Sequence, residues 1–269
     1  MIKISLVTIT FQAAGVLAPT LESVRRQDYP MVEHVIIDGA SKDATVAMAE
    51  EYRRSVAEEK LGWEVTVVSE PDKGLYDAMN KGLRRVTGDY VCFLNAGDRL
   101  PDADTLLKVA EAVDRGEDGI KPSVVYGDTD IIDADGHFLR HRHLSPPDLL
   151  TWRSFRQGML VCHQAFYART DLAKRVSYDL RYRYSADVDW CIRVMKEGEA
   201  AGAPTARAEG LLALYLSEGE TTRHHKASLR ERFDVMRRHY GLPATLIMHL
   251  SFVWRAVKGR WRGEKDSQQ

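Results

Sequence analysis

Six residues suited to holding a charged ligand fall at the ends of predicted strands in the first hundred positions: Thr10, Phe11, Asp38, Asp72, Asn95 and Asp98. Carboxylates gathered in this way suit a nucleotide, with a divalent metal, Mg²⁺ or Mn²⁺, bridging acid side chains and phosphate oxygens. A second group comes later in the chain. His163 and Gln164 interrupt an apolar run, where polar side chains are costly unless partnered, so a binding or network role is expected of them. Asp187 and Asp189 stand two residues apart at the start of a predicted helix, where they point about 200° apart, so only one can face a site. His224 and His225 lie in a polar, glycine-containing loop that could fold over a ligand, and His224 is taken as a metal or diphosphate ligand. His141 and His143 have no partner ligands nearby in the sequence and are left unassigned.

The elements that must position these groups follow from apolar periodicity. Residues 3–10 form a β-branched, almost uninterrupted run, hence a buried strand, residues 33–38 make a second buried strand with an acidic end, and residues 64–68 and 90–94 make two more. Helices are expected over 16–26, from the Asp43 cap to about 59, and over 75–86. In the third helix Leu75, Met79, Leu83 and Val86 mark the core side, with Tyr76, Asp77 and Asn80 on another side and Gly88 as the stop. The loop before it, 69–74, carries Asp72 and Lys73 among its charges and offers backbone amides to a ligand. Strand and helix alternate, which means an α/β fold with a parallel, doubly wound sheet whose ligand sits at the carboxyl ends of the strands. No Gly-x-Gly-x-x-Gly or Walker lysine motif is present, which excludes a dinucleotide-binding Rossmann turn and a P-loop.

Beyond residue 100 the pattern changes. A helix is expected over 103–115, then a hairpin of 124–132 and 136–139 around the Asp133-Ala134-Asp135-Gly136 turn, and a short helix from the Ser145-Pro146-Pro147-Asp148 break through Trp152. An apolar strand over 160–167, a helix capped by Ser185 or Asp187, and a late strand over 211–216 complete the body. Residues 243–261 read as an amphipathic helix, with Leu246, Leu250, Val253, Val257 and Trp261 on one side and Arg255, Lys258 and Arg262 on another. Cations and tryptophans in such a helix suit an anionic membrane surface. The expected division is residues 1–240 as the catalytic body and 241–269 as a basic extension and tail.

Composition narrows the classes. With 269 residues, 44% hydrophobic, 29% charged and a formal net charge of −1, the chain can bury one large core and has no overall field that would draw nucleic acid. Three scattered cysteines, Cys92, Cys162 and Cys191, argue against a disulfide framework or structural zinc and fit a reducing compartment. The expected location is cytoplasmic, peripheral on the inner face of the inner membrane, since no apolar run reaches the roughly 18 residues that span a bilayer.

Five segments together resemble the family-2 glycosyltransferases of the GT-A fold, in the branch that builds bacterial exopolysaccharides and glycolipids, including the colanic-acid type. They are residues 35–45 (Val-Ile-Ile-Asp-Gly-Ala-Ser-Lys-Asp-Ala-Thr), 70–82 (Glu-Pro-Asp-Lys-Gly-Leu-Tyr-Asp-Ala-Met-Asn-Lys-Gly), 93–98 (Phe-Leu-Asn-Ala-Gly-Asp), 162–165 (Cys-His-Gln-Ala) and 186–190 (Ala-Asp-Val-Asp-Trp). The resemblance spans about residues 2–240 and implies a nucleotide-sugar donor, UDP- or GDP-linked, and inverting transfer to a hydroxyl of a polysaccharide or lipid-linked acceptor. It implies that Asp38, beside Thr10 and Phe11, meets the base or ribose and that Asp72, with Lys73, completes nucleotide binding. Asp98 then carries the metal on the diphosphate, and Asp187 is the base that takes the acceptor proton. Asp77, Asn80, Asn95, His163 and Gln164 are expected around the donor sugar and acceptor. Asn95 and Gly97 depart from the family pattern, standing where carboxylates are often found. A sugar-nucleotide binding protein without turnover and a nucleotidyltransferase are the alternatives.

Overall fold

Seven consecutive buried residues form β1 (Ile4–Thr10), and β2 (Val32–Asp38) is buried along its whole length as well. Such runs hide both faces, the condition of central strands in a parallel sheet covered by helices. With β3 (Glu64–Ser69) and β4 (Tyr90–Phe93) they make the parallel order β3-β2-β1-β4. The computed structural model describes residues 1–59, 61–116, 119–217 and 225–250. Helices α1 (Leu17–Arg25), α2 (Thr45–Glu58) and α3 (Leu75–Arg85) cover the sheet. Leu17, Leu21, Ile36, Ala49, Tyr52 and Val56 close one side, while Val7, Ile37, Met79 and Leu83 belong to the larger core. Each buried Val, Leu, Ile or Met among them contributes about 1.5–3 kcal/mol.

Register sets the site. Thr10 lies opposite Asp38, and Asp38 opposite Ser69, so three polar side chains stand side by side at the carboxyl edge. Past α4 (Thr105–Asp114), β5 (Val124–Ile132) pairs antiparallel with β6 (Phe138–His141) and with β7 (Phe166–Arg169), which itself runs antiparallel to β4. Strand β8 (Thr205–Leu216) runs parallel to β5 and returns the chain to the same edge. A bridge between Arg99 and Leu214 then ties the loop after β4 to β8. The short α5 (Thr170–Ala173), then α6 (Ala186–Ala200), α7 (His225–Tyr240) and α8 (242–250) complete the described chain. None of the described helices is long and apolar enough to cross a membrane.

The strand-helix alternation of the first hundred residues matches the expectation, and several later elements do not. The strand expected over 160–167 is a single 3-10 turn, His163–Ala165, followed by β7. The side chains of His163 and Gln164 are both taken by distant partners, Tyr178 and Asp98, which a strand's alternating faces would separate. The helix expected to end at Trp152 instead begins there, as a 3-10 helix over Trp152–Gln157 with a Thr151/Ser154 capping box. Leu75 is 40% exposed, whereas Tyr76 and Asn80 are each 6% exposed. Helix α3 is therefore buried on two sides, by the sheet and by the loop before α6. Gly88 does not stop α3, which ends at Arg85. It lies where a Cβ would come within 2.7 Å of the Lys3 carbonyl, so the close approach of β1 demands glycine. Of the expected C-terminal helix, residues 251–261 lie outside the described residues, as does His224.

Candidate active site

Asp38 is fully buried at the end of β2. Its carboxylate accepts hydrogen bonds from the Thr10 hydroxyl at 3.0 Å, the Ser69 hydroxyl at 2.7 Å, the Ser41 backbone N–H at 2.8 Å and the Ser41 hydroxyl. Burial alone would push its pKa up, but these donors outweigh it and hold Asp38 below the usual carboxylate range. A Cβ on Gly39 would lie 2.6 Å from Asp72 Oδ2 and 3.2 Å from the Phe11 ring. Glycine at 39 is thus what lets Asp72 and Phe11 converge beside Asp38. The Phe11 ring is 66% exposed at this mouth, an apolar face against which a planar base can stack. Two non-glycine residues with positive φ flank it, Gln12 at 49° and Ala40 at 62°. Gln12 is held there by its side-chain oxygen, which accepts the Lys42 and Asp43 N–H groups. Strain of this kind persists where surrounding contacts over-determine it, commonly at binding sites.

The loop entering α3 is closed from within. Asp72 Oδ1 accepts the Gly74 N–H at 2.8 Å, and Asp77 Oδ2 accepts the Lys73 N–H at 3.0 Å. Lys73 itself is exposed, and Gly74 takes φ 112°, open to glycine alone without strain. Asp77 therefore shapes the loop that carries Asp72 and Lys73.

On the far side of β1, the loop after β4 buries Asp98 to 4% exposure. One oxygen accepts the Leu216 N–H at 3.0 Å and the other the Gln164 amide at 2.8 Å. Burial dominates, and the two donors do not offset it, so the Asp98 pKa is pushed up to about 7. In the same loop the side-chain oxygen of Asn95 is buried without a hydrogen-bond partner. An acid short of positive charge beside an orphaned oxygen fits a hard divalent cation, which binds oxygen ligands. A separate exposed trio, Asp133, Asp135 and His137, has ligand atoms within 4.8 Å of one another at the β5–β6 turn. The sequence reading took that Asp-x-Asp as turn chemistry, and Asp133 does close the turn by accepting the His137 N–H.

The two acids at the start of α6 have different fates. Asp189, 1% exposed, is bonded to Arg193 at 2.7 Å and to His239 of α7 at 2.8 Å. Asp187 is half-buried, and the Tyr76 hydroxyl donates to its Oδ1 at 3.1 Å. Behind them Tyr178 stacks on Trp190 at 4.8 Å between centroids and meets Phe93 edge-on at 5.3 Å. His163 stacks on Phe93 and bonds the Tyr178 hydroxyl at 2.8 Å, and burial lowers its pKa to about 4, so it is neutral at physiological pH. Asn80 spends its amide on both backbone groups of Tyr178, at 2.7 and 3.0 Å. His163 and Asn80 are therefore the frame behind the site. Gln164 donates its amide N–H to Asp98 and accepts from the Cys162 thiol through its side-chain oxygen. Asp98 and Asp187 both add to the upward shift of the Tyr215 hydroxyl, after its burial, so the two acids face a common region. Sequence reading missed Tyr215 because its strand read as plain core. It also missed Tyr76, whose only signal was an aromatic residue on the loop side of α3.

Comparison with known proteins identifies the family and the fold. Residues 5–176 match the sequence model of Glycosyl transferase family 2. A "PGL/p-HBAD biosynthesis glycosyltransferase" of Mycobacterium tuberculosis is 36% identical over 191 residues, covering 70% of this chain and 68% of that relative. Among solved structures, residues 1–349 of S. aureus TarS share the fold with a TM-score of 0.66 at 17% identity, covering 93% of this chain and 72% of that one. The mannosyltransferase PcManGT of Pyrobaculum calidifontis, solved with GDP-Man and Mn²⁺, gives a TM-score of 0.62 at 19% identity, covering 92% and 68% respectively.

Proposed function

The chain belongs to glycosyltransferase family 2, and from that premise we propose that it is an inverting enzyme. It moves a sugar from a UDP- or GDP-linked donor to a hydroxyl of a surface-polysaccharide or glycolipid precursor. The observation that carries this reading is the asymmetry at α6: Asp189 is consumed by Arg193 and His239, while Asp187 keeps a half-buried carboxylate with one bonded oxygen.

In this reading Phe11 stacks the base, and Thr10 with Asp38 and Ser41 meets the base or ribose. Asp72 and Lys73 complete the nucleotide site. A divalent cation, Mg²⁺ or Mn²⁺, held by Asp98 beside the Asn95 oxygen, would supply positive charge at the departing diphosphate. Asp187 takes the proton of the acceptor hydroxyl as that oxygen attacks the anomeric carbon. The bond from that carbon to the diphosphate oxygen breaks on the opposite face, and its electron pair leaves with the nucleotide. Gln164 holds the Asp98 carboxylate from the acceptor side. The relative's name, which places it in PGL/p-HBAD biosynthesis, and the GDP-Man and Mn²⁺ complex of PcManGT support the donor and acceptor classes proposed.

A thermal-shift panel of UDP, GDP and ADP with and without Mn²⁺ tests the nucleotide site. A ligand at a hundredfold its Kd adds about 2.7 kcal/mol of stability, so UDP or GDP with Mn²⁺ should raise the melting temperature by several degrees. Phe11→Ala should cut that affinity roughly tenfold, the scale of a lost base-aromatic stack. If no nucleoside diphosphate shifts the melting temperature, the reading is lost.

We further propose that the extension beyond residue 240 contacts an anionic membrane. Leu246, Ile247 and Leu250 of α8 are 48%, 66% and 70% exposed, and Arg255, Lys258, Arg260 and Arg262 follow in sequence. Replacing those three apolar residues by glutamate in the full chain should abolish sedimentation with phosphatidylglycerol vesicles. Equal sedimentation of the variant and the parent protein would refute the contact.

A further inference from the structure

Helix α3 leaves the candidate nucleotide loop at Gly74, and Tyr76 turns inward at once, 6% exposed. Its hydroxyl donates to Asp187 Oδ1 at 3.1 Å, across 111 residues of sequence. The Tyr76 ring stacks on Tyr178 with centroids 5.7 Å apart and planes 18° apart, and Tyr178 stacks in turn on Trp190 of α6. Asn80, one turn along α3 from Tyr76, pins the backbone of Tyr178. A single helix thus follows the nucleotide loop directly, fixes the aromatic stack, and touches the carboxylate at the start of α6.

We propose that Tyr76 is a positioning residue for Asp187: its hydroxyl holds Oδ1 so that Oδ2 is presented to the acceptor hydroxyl. The inference rests on Asp187 being the general base. The acceptor proton passes to Oδ2, and the phenol proton stays on Tyr76 throughout.

Besides Asp187, the Glu231 carboxylate of α7 acts on the Tyr76 hydroxyl, and the remaining groups around the bond are neutral. Asp187 acts electrostatically on Tyr76 of α3, Cys162 and His163 at the 3-10 turn, Tyr178 in the following loop, Cys191 of α6 and Tyr215 of β8. Burial lowers His163 to about 4 and raises the phenols and thiols well above their ordinary values. All six are therefore uncharged near neutral pH. Among the described residues Tyr76 is the side-chain donor to this carboxylate, and a donor to a carboxylate favours its ionised form.

The test is a carbon-13 NMR titration of protein labelled at aspartate Cγ, with the Asp187 signal assigned by its loss in Asp187→Asn. Tyr76→Phe keeps the ring stack and removes only the donor, and it should raise the Asp187 midpoint by about one pH unit. In nucleotide-diphosphate release from a panel of UDP- and GDP-hexoses, the acid limb of kcat should move the same way. Activity should recover toward the unmutated level as pH rises past the new midpoint, and the donor KM should stay unchanged. An Asp187 midpoint identical in Tyr76→Phe and the unmutated protein would overturn the inference, whatever Asp187→Asn does. A shifted midpoint together with full turnover in Asp187→Asn would instead overturn the base assignment and leave the hydrogen bond standing.

Discussion

Replacing Asp187 with asparagine is expected to lower sugar transfer by roughly a thousandfold, within the usual range for loss of a general base, with nucleotide affinity unchanged. The substitution is nearly isosteric, and the amide oxygen can still accept from Tyr76, which now lies 3.1 Å from Oδ1. It removes the negative charge and with it the capacity to take a proton. The proposed nucleotide groups, Phe11, Asp38 and Asp72, stand just after β1, at the end of β2 and in the loop before α3, and share no hydrogen bond with Asp187. Asp189→Asn is the matching control. That carboxylate is bonded to Arg193 and His239, so its loss should register first as a lower melting temperature, because a buried partner is left uncompensated. Calorimetric titration with nucleotide, set beside the turnover rate, separates the two. Weakened nucleotide binding in Asp187→Asn, or near-normal turnover, would contradict the assignment.

The second large effect is expected at Asp98, with stability and activity moving in opposite directions. Its folded pKa, pushed up to about 7, stands well above the ordinary carboxylate range because burial disfavours the charge. The folded state therefore holds this proton more tightly than the unfolded chain. The penalty is absent below the unfolded pKa, grows between about pH 4 and 7, and is complete above that. The shift corresponds to a penalty of order 4 kcal/mol. With a chelator present, Asp98→Asn should lack this loss of stability on raising the pH and should melt above the unmutated protein at pH 8. Its Mn²⁺-dependent gain in nucleotide affinity should disappear, the trade between stability and function expected of a site that stores an uncompensated charge. Melting temperatures across pH 4–8 check the first half. A variant that melts lower than the unmutated protein at pH 8, with the same pH slope, would refute the account of Asp98.

The local pattern was enough for the first half of the fold. The runs at 4–10 and 32–38, rich in β-branched residues, are buried strands, and the polar residues that end them meet at one edge through parallel register. Where long-range partners decide, local pattern misled. The run at 160–167 has strand composition, yet Gln164 is drawn to Asp98 and His163 to Tyr178, and the backbone turns to satisfy both. Gly88 looked like a helix stop and is instead a point of close approach to β1. The choice between Asp187 and Asp189 could be framed from helix geometry, but the fate of Asp189 depends on His239, fifty positions later. Tyr76 was placed on the right helix and its partner was not visible, since the two are 111 residues apart.

The central claim is cleavage of a donor's anomeric bond with inversion, and proton NMR of the reaction tests it most directly. The protein, UDP- and GDP-hexoses in turn, Mn²⁺ and a panel of simple glycoside acceptors would be followed at the anomeric proton. The account predicts that one donor is consumed, that nucleoside diphosphate accumulates, and that the new glycosidic bond has the opposite anomeric configuration from the donor. A product that retains the donor's configuration, or nucleotide binding with no cleavage of any donor, would contradict it.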